Sequence, residues 1–339
     1  MTNSPDVCPL CATSIKLIWN QESSSASEVV FKNVQPRYLN YGCHIFDNQY
    51  LLGCPFCGFT FVYPYLGSKS LANFYENNYY KLRIPWKKRN VSIDSIFRIF
   101  LLKQYLGNNK DPVILDFGGS FGEMASNFKR LLRFTRTFVD DSDIYNPYWR
   151  RLDIRHRRLE SFEDGEIDLF FSSHCFEHIP ANMLTELMKS VHAKLSLGGL
   201  CYIEVPSEDL MSVFELGSIN YVPGPHQSHF TLAALRELVS PKFDILLLET
   251  RGLPDRYQVQ KAQQFSDIIP IRRGFLFRLL HRLILEASSL ILSLAAVLVR
   301  LARGLRFYPE IHLVSLKDDG FSSSRPDGDY LILIARKKS

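Results

Sequence analysis

The sequence predicts an α/β protein. Helices cover both faces of a mostly parallel sheet, a small β-rich module precedes it, and a helical insertion interrupts it before the last strand. Three observations predict this. From about residue 91, short apolar runs of strand type alternate with segments of helical period. The first 65 residues show no long helical period but hold two CxxC pairs. Residues 251–328 then break the alternation before a final apolar run at 330–335.

Along the chain, residues 1–65 contain Cys8-Pro-Leu-Cys11, a Ser-rich stretch at 23–27, Cys54-Pro-Phe-Cys57-Gly58 and a β-like run at 59–62. Each CxxC turn can point two thiolates at one ion, and two such turns complete a tetrahedral site. Cys8, Cys11, Cys54 and Cys57 are therefore the expected ligands of a structural Zn2+. Cys43 and His44 are competing ligands, and a set of reduced, metal-free cysteines is the plain alternative. Four thiolates leave no open coordination position, so the role would be structural. Residues 66–90 are polar and Tyr-rich and read as a linker; Tyr79 and Tyr80 could cover a site.

The core reads as 91–250. Ile93, Ile96, Phe97, Phe100 and Leu101 have helical spacing, and Gly107 ends that helix. A buried-type strand follows at 113–115, then a helix at 121–133 with Met124, Ala125 and Phe128 on one face. Strands at 137–139 and 167–171 come next. The helix 181–195 stops at Gly198-Gly199. Strand 200–205, helix 232–239 and strand 243–248 lead into the insertion, and 329–339 returns the final strand.

Within the insertion, 275–305 is rich in Leu and Arg, and its longest uncharged run, 287–299, is too short to favour a spanning helix. Two readings stand beside that one. A helical hairpin could pack on the domain or on a second subunit. Alternatively, 272–306 could make a peripheral contact with an anionic membrane surface, because basic flanks and an apolar face suit headgroups.

Composition narrows the class. The 339 residues are 46% hydrophobic and 22% charged, which excludes wholesale disorder, collagen and a simple coiled coil. The net charge of +5 is low for a protein that coats nucleic acid. Residues 1–65 hold only Lys16, Lys32 and Arg37 as basic residues, so no nucleic-acid partner is expected. Seven cysteines, an odd number with four in tight pairs, argue against a secreted disulfide framework. MTNSPDVCPL shows no secretory leader pattern, and the expected location is the cytoplasm, or its membrane surface.

The strongest chemical signal is Val113-Ile-Leu-Asp-Phe-Gly-Gly-Ser-Phe-Gly-Glu-Met, a strand, a Gly-rich turn and a helix start. Gly118, Gly119 and Gly122 let the backbone turn sharply and approach a ligand closely. Asp116 sits at the strand's carboxyl edge, where open α/β sheets bind ligands. Asp140 ends the next strand, where a carboxylate can accept both hydroxyl hydrogens of a ribose. Ser120-x-x-Glu123 reads as a capping box for helix 121–133. Glu160 follows a third strand and would approach a base. The plain alternative is a βα turn with a surface acid.

These residues resemble the class I S-adenosylmethionine-dependent methyltransferases. The segment from Asp116 through Gly118, Gly119 and Ser120 to Gly122 looks like their D-x-G-x-G-x-G motif, with Ser120 at the middle glycine. Asp140 is similar to their ribose acid. Asp168 through Ser172-Ser173-His174-Cys175-Phe176-Glu177-His178 looks like their fourth strand and loop, and Leu197 to Pro206 like their fifth. The resemblance implies a Rossmann-like seven-stranded sheet, S-adenosyl-L-methionine as cofactor, and Asp116, Gly118, Gly119, Ser120, Gly122, Asp140 and Glu160 as its binding residues. The order of CxxC module, Tyr-rich segment and this domain further resembles the sugar C-methyltransferases. It implies a small carbohydrate or nucleotide-sugar acceptor. That family's Glu-His pair has only a partial match at His226-Gln-Ser-His229-Phe-Thr231.

Methylating a hydroxyl or a carbon beside a carbonyl requires a base, and histidine suits neutral pH. His178, after the fourth strand, is the first candidate, with His226 and His229 next. For His178, a structural histidine capping the loop is the plain alternative. The rival functions are an RNA or protein methyltransferase that grips its substrate with the zinc module, and a non-catalytic zinc-ribbon protein. Intact Gly118, Gly122 and Asp140 weigh against the latter.

Overall fold

The computed structural model describes residues 5–20, 50–74, 93–107, 110–142, 146–207, 226–251 and 330–338. Cys43, His44, Tyr79, Tyr80 and the segment 272–306 lie outside them, as does the insertion after Arg251 up to Tyr330.

The first strands are β1 (Lys16–Asn20), β2 (Tyr50–Gly53) and β3 (Thr60–Tyr63), followed by helices α1 (Ser68–Phe74) and α2 (Ile93–Tyr105). The core continues with β4 (Ile114–Phe117), α3 (Glu123–Asn127), β5 (Thr137–Asp140), α4 (Asn146–Leu152), β6 (Arg155–His156) and β7 (Ile167–Ser173). Then come α5 (Ala181–Lys194), β8 (Leu195–Pro206), β9 (Ser228–His229), α6 (Leu232–Val239), β10 (Phe243–Arg251) and β11 (Tyr330–Lys337).

Seven strands make one sheet in the order β10-β11-β8-β7-β4-β5-β6. β4 pairs in parallel with β5 and β7, β5 with β6, and β7 with β8. β11 is antiparallel to both neighbours, β8 and β10. The chain goes outward from β4 through β5 and β6, then returns to its other side with β7 and β8. That reversal opens a crevice at the carboxyl ends of β4, β5 and β7, the ligand edge of such sheets.

The strands alternate between two apolar layers, as a sheet covered on both faces requires. In β8, Cys201, Ile203 and Val205 face one layer, while Leu200 and Tyr202 face the other. In β11, Leu331, Leu333 and Ala335 oppose Ile332 and Ile334 in the same way. α5 and α6 fill the first layer with Leu184, Met188, Val191, Leu235 and Val239, while α2, α3 and the turn after α3 bring Leu102, Met124 and Phe128 to the second.

Two local expectations change. The helix expected at 121–133 starts at Glu123 and continues as a π-helical turn over Phe128–Leu132. Its N-cap is Gly122 at φ 75°, so Ser120 does not hold the N-cap position that the expected Ser120–Glu123 capping box assigns to it. Ser120 itself sits at φ 49°, so the chain is still turning where the helix was expected to begin. The stop expected at Gly198-Gly199 comes earlier. Leu195 is buried and already pairs with Ile167, so α5 hands over directly to β8.

The second sheet has the order β1-β2-β3-β9, and its last strand comes from the core. Thr60 pairs with His229 and Phe61 with Ser228, and the Val62 amide donates to the Gln227 carbonyl at 3.0 Å. Phe59 and Phe61, both fully buried, join the layer under α5 and α6, and Phe59 lies 5.2 Å from the Phe230 ring. Burying a side chain of this size contributes roughly 1.5–3 kcal/mol. Among the described residues no helix is long and apolar enough to cross a membrane.

Candidate active site

The Gly-rich turn lies at the carboxyl end of β4. Gly118 (φ 71°) and Gly122 (φ 75°) take left-handed conformations that disfavour a side chain. A Cβ on Gly118 would meet Cys175 Sγ at 2.5 Å, and one on Gly119 would meet Asp116 Cγ at 2.6 Å. The turn is pinned from outside as well. The Ser120 amide donates to Asp141 Oδ2 at 2.7 Å, and Trp149 Nε1 donates to the Ser120 carbonyl at 2.8 Å.

Asp116 is buried beneath this turn and accepts the Ala125 amide at 3.2 Å. Burial pushes its carboxyl up to about 7. Asp116 therefore ties the turn to α3. Asp140 ends β5, also buried, where its oxygens accept the Leu159 amide at 2.8 Å and Arg158 Nη1 at 3.1 Å. A carboxylate offers about four lone-pair sites, so two bonds leave room for two more. Glu160 is exposed, in the turn Leu159–Ser161 just beyond Asp140.

Across the crevice, the loop after β7 carries His174, Cys175, Glu177 and His178. His178 and His226 converge there, their rings 4.8 Å apart and edge to face. His229 follows in β9 with its ring 6.3 Å from that of His226, but it is 1% exposed, and its backbone pairs with Thr60. The structure thus groups the three candidate histidines and gives His229 an interior position. Glu177, buried, brings a carboxylate oxygen within 4.8 Å of ring nitrogens of both His178 and His226.

Residues 92–241 match the family model described as a methyltransferase domain. The chain carries a methyltransferase domain. It is an enzyme that uses S-adenosylmethionine. No curated protein matches the chain in sequence. Several solved structures are similar to it. One is a SAM-dependent methyltransferase from Archaeoglobus fulgidus, 16% identical over 72% of this chain and 94% of its own, with a TM-score of 0.42. Another is geranyl diphosphate C-methyltransferase from Streptomyces coelicolor A3(2), 14% identical over 80% of this chain and 85% of its own, with a TM-score of 0.40. A third is phosphoethanolamine N-methyltransferase 2 from Haemonchus contortus, 13% identical over 83% of this chain and 62% of its own, with a TM-score of 0.42.

Beside the methyltransferase domain, the four cysteines of the CxxC pairs come together. Cys8 Sγ lies 3.8 Å from Cys57 Sγ, and Cys11 Sγ lies 3.5 Å from Cys54 and 3.7 Å from Cys57. The Cys57 thiol facing Cys8 holds the Cys8 thiol well below the usual thiol range. Thr231 Oγ1 donates to the Cys57 carbonyl at 2.6 Å, a bond that holds the turn 54–57 to the domain.

Sequence reasoning missed the charged groups behind the histidines. Arg98 of α2 grips Glu204 of β8 through two donors, Nε at 2.8 Å and Nη2. Tyr202 and Ser173 also donate to Glu204. His174 Nε2 lies 3.3 Å from Glu204 Oε1, and its Nδ1 lies 3.4 Å from Glu177 Oε1. Burial opposes a charge on His174, but the carboxylates of Glu177 and Glu204 outweigh it and push His174 up to about 9. Burial likewise opposes ionised Glu204, yet His174 and Arg98 hold its carboxyl far below the usual range. The available signal was Glu177 itself, which stands beside His178 in the loop motif.

Proposed function

We propose that this methyltransferase acts on a small carbohydrate or nucleotide-sugar acceptor, with a histidine of the 178/226 pair as general base, and that Cys8, Cys11, Cys54 and Cys57 hold one structural zinc ion. The observation that carries the base assignment is the convergence of the His178 and His226 rings, 4.8 Å apart, at the loop that follows β7. His178 comes first because it follows β7 directly, and strand ends are held firmly. His226 comes second, and His229, interior and paired with β3, supports the loop that carries it. The carbohydrate class rests on the order of the CxxC module, Tyr-rich segment and methyltransferase domain, which resembles the sugar methyltransferases.

The residues present fit the cofactor. Asp140 keeps acceptor capacity for a ribose diol, the turn 118–122 lets a ligand approach the backbone, and Glu160, exposed in the turn just beyond Asp140, is the residue proposed to approach the adenine. S-adenosylmethionine supplies a methyl group on a sulfonium, whose sulfur is a good leaving group. The chain's task is then to orient the acceptor, exclude water and accept one proton. The thiols fit zinc equally well. Zinc–sulfur bonds of about 2.3 Å in a tetrahedron put the sulfurs about 3.8 Å apart. The three spacings above lie between 3.5 and 3.8 Å.

The test has two arms. Purified protein is assayed by elemental analysis, with about one zinc per chain expected, lost in Cys54→Ser. It is then incubated with S-adenosylmethionine and a panel of nucleotide-linked sugars, and products are read by mass. Methyl transfer to a non-carbohydrate acceptor alone would overturn the substrate class. Metal-free protein from unchelated preparations would overturn the zinc assignment.

A further inference from the structure

We propose that Glu177 is the positioning carboxylate of the acceptor site: it is the counter-ion for the imidazolium formed when the His178–His226 pair takes the acceptor's proton. The proposal rests on the histidine-base reading above and deepens it.

The placement argues for it. Glu177 is 2% exposed, in the short turn Phe176–His178. Its Oε1 lies 3.4 Å from His174 Nδ1 and 4.0 Å from His178 Nε2. Its Oε2 is buried and has no hydrogen-bond partner among the described residues. Its backbone is fixed on the other histidine's segment as well, since its carbonyl accepts the Gln227 amide at 2.7 Å. A buried carboxylate oxygen without a donor is costly unless positive charge faces it.

Signs alternate along the row behind it. Arg98 is positive, Glu204 negative, His174 positive and Glu177 negative. The next place belongs to His178 and His226, where a positive charge would continue the row. His174 and His178, on its own loop, and His226, on the segment before β9, are the titratable groups that face Glu177. Glu204 reaches it through His174.

The charge balance of methyl transfer creates that positive charge. As the bond from the acceptor atom to the methyl carbon forms, the bond from that carbon to the sulfonium sulfur breaks, and its electrons stay on sulfur. The acceptor's proton passes to a ring nitrogen of the histidine pair. One positive charge has moved from sulfur to imidazole, and the net charge of the site is unchanged. Glu177 stabilises the place where the charge arrives. Contacts of 4.0 Å shorten readily once an acceptor fills such a site.

The experiment needs no acceptor. The imidazole signals of isotope-labelled protein are titrated by NMR, with His178→Gln and His226→Gln used for assignment. Interacting rings titrate as a pair, so the readout is the first protonation of the pair. In Glu177→Gln it should fall, because an opposite charge at this range favours the charged form. In His174→Asn, which removes the competing cation, it should rise. A purely structural role predicts no such opposite shifts. Superimposable curves in a folded Glu177→Gln protein would overturn the proposal. If that variant does not fold, an unmoved or lowered first protonation in His174→Asn overturns it. Added Zn2+ binding to the wild type at a second equivalent, lost in Glu177→Gln, would also overturn it by making the three groups ligands. Failure of the sugar assay leaves these titrations untouched, so the two readings fail separately.

Discussion

Thr231 Oγ1 donates to the Cys57 carbonyl at 2.6 Å and accepts the Ala234 amide at 3.1 Å, so one hydroxyl caps α6 and holds the cysteine turn. The fit is tight, because a Cβ on Gly58 would come within 2.8 Å of Thr231 Cγ2. Thr231→Val keeps the shape and loses both bonds. It should destabilise the protein by about 1–3 kcal/mol, the sum of a lost cap and a lost buried bond. Denaturant unfolding of the variant beside the wild type checks this, and a change within ~0.5 kcal/mol would refute the link.

The Gly-rich turn has no room for a methyl group. Gly118→Ala must leave φ 71° or press on Cys175 Sγ at 2.5 Å. A left-handed alanine alone costs about 1–2 kcal/mol. Affinity for S-adenosylmethionine should fall tenfold or more by calorimetry. Gly67→Ala, whose Cβ would have nothing within 4 Å, should bind as the wild type does.

Asp140 holds the Leu159 amide beside the ribose contact proposed for it, and the two can be tested separately. Asp140→Ala should weaken cofactor binding by roughly 1–3 kcal/mol, the scale for charged hydrogen bonds. It should also lower the cofactor-free thermal midpoint, because the Leu159 amide loses its acceptor. Glu160→Gln, at an exposed position, should leave the midpoint unchanged. Equal midpoints for both variants would remove the structural duty from Asp140.

His174 makes stability depend on pH. Its folded-state value, about 9, lies above the ordinary 6.5, so the folded protein holds that proton more tightly. The stabilisation is complete below about pH 6.5 and is lost as pH rises through about 9. The thermal midpoint should fall across that window, and His174→Asn should flatten the fall. Identical slopes for both proteins would show that another group is responsible.

Much of this was legible in the sequence because it is local. Apolar runs at 113–115, 137–139 and 200–205 are short and flanked by turn residues, which is enough to read them as strands, and Asp116 and Asp140 follow from where the first two end. The CxxC pairs announce themselves by spacing, although their thiols meet only through the fold. β9 was invisible because two residues carry no period, and its partner β3 lies far away in sequence. The row from Arg98 through Glu204 to His174 and Glu177 was invisible for the same reason: helix α2, strand β8 and the loop after β7 are distant in sequence, and only the fold makes them neighbours. Ser120 misled because S-x-x-E reports a cap only where the helix starts, and the chain delays that start to Glu123.

The placement of β11 sets an order of assembly. β8 and β10 never touch as a ladder; each is joined to the other only through a strand that the chain supplies after residue 329. A growing polypeptide that has reached Arg251 has already made six of the seven strands, yet it must hold two open hydrogen-bonding edges apart until Tyr330–Lys337 arrives to wedge between them. Open edges invite pairing with other chains. A message cut short within the insertion would therefore yield a sticky, incomplete sheet, and quality control in the cell would meet it as an aggregating species.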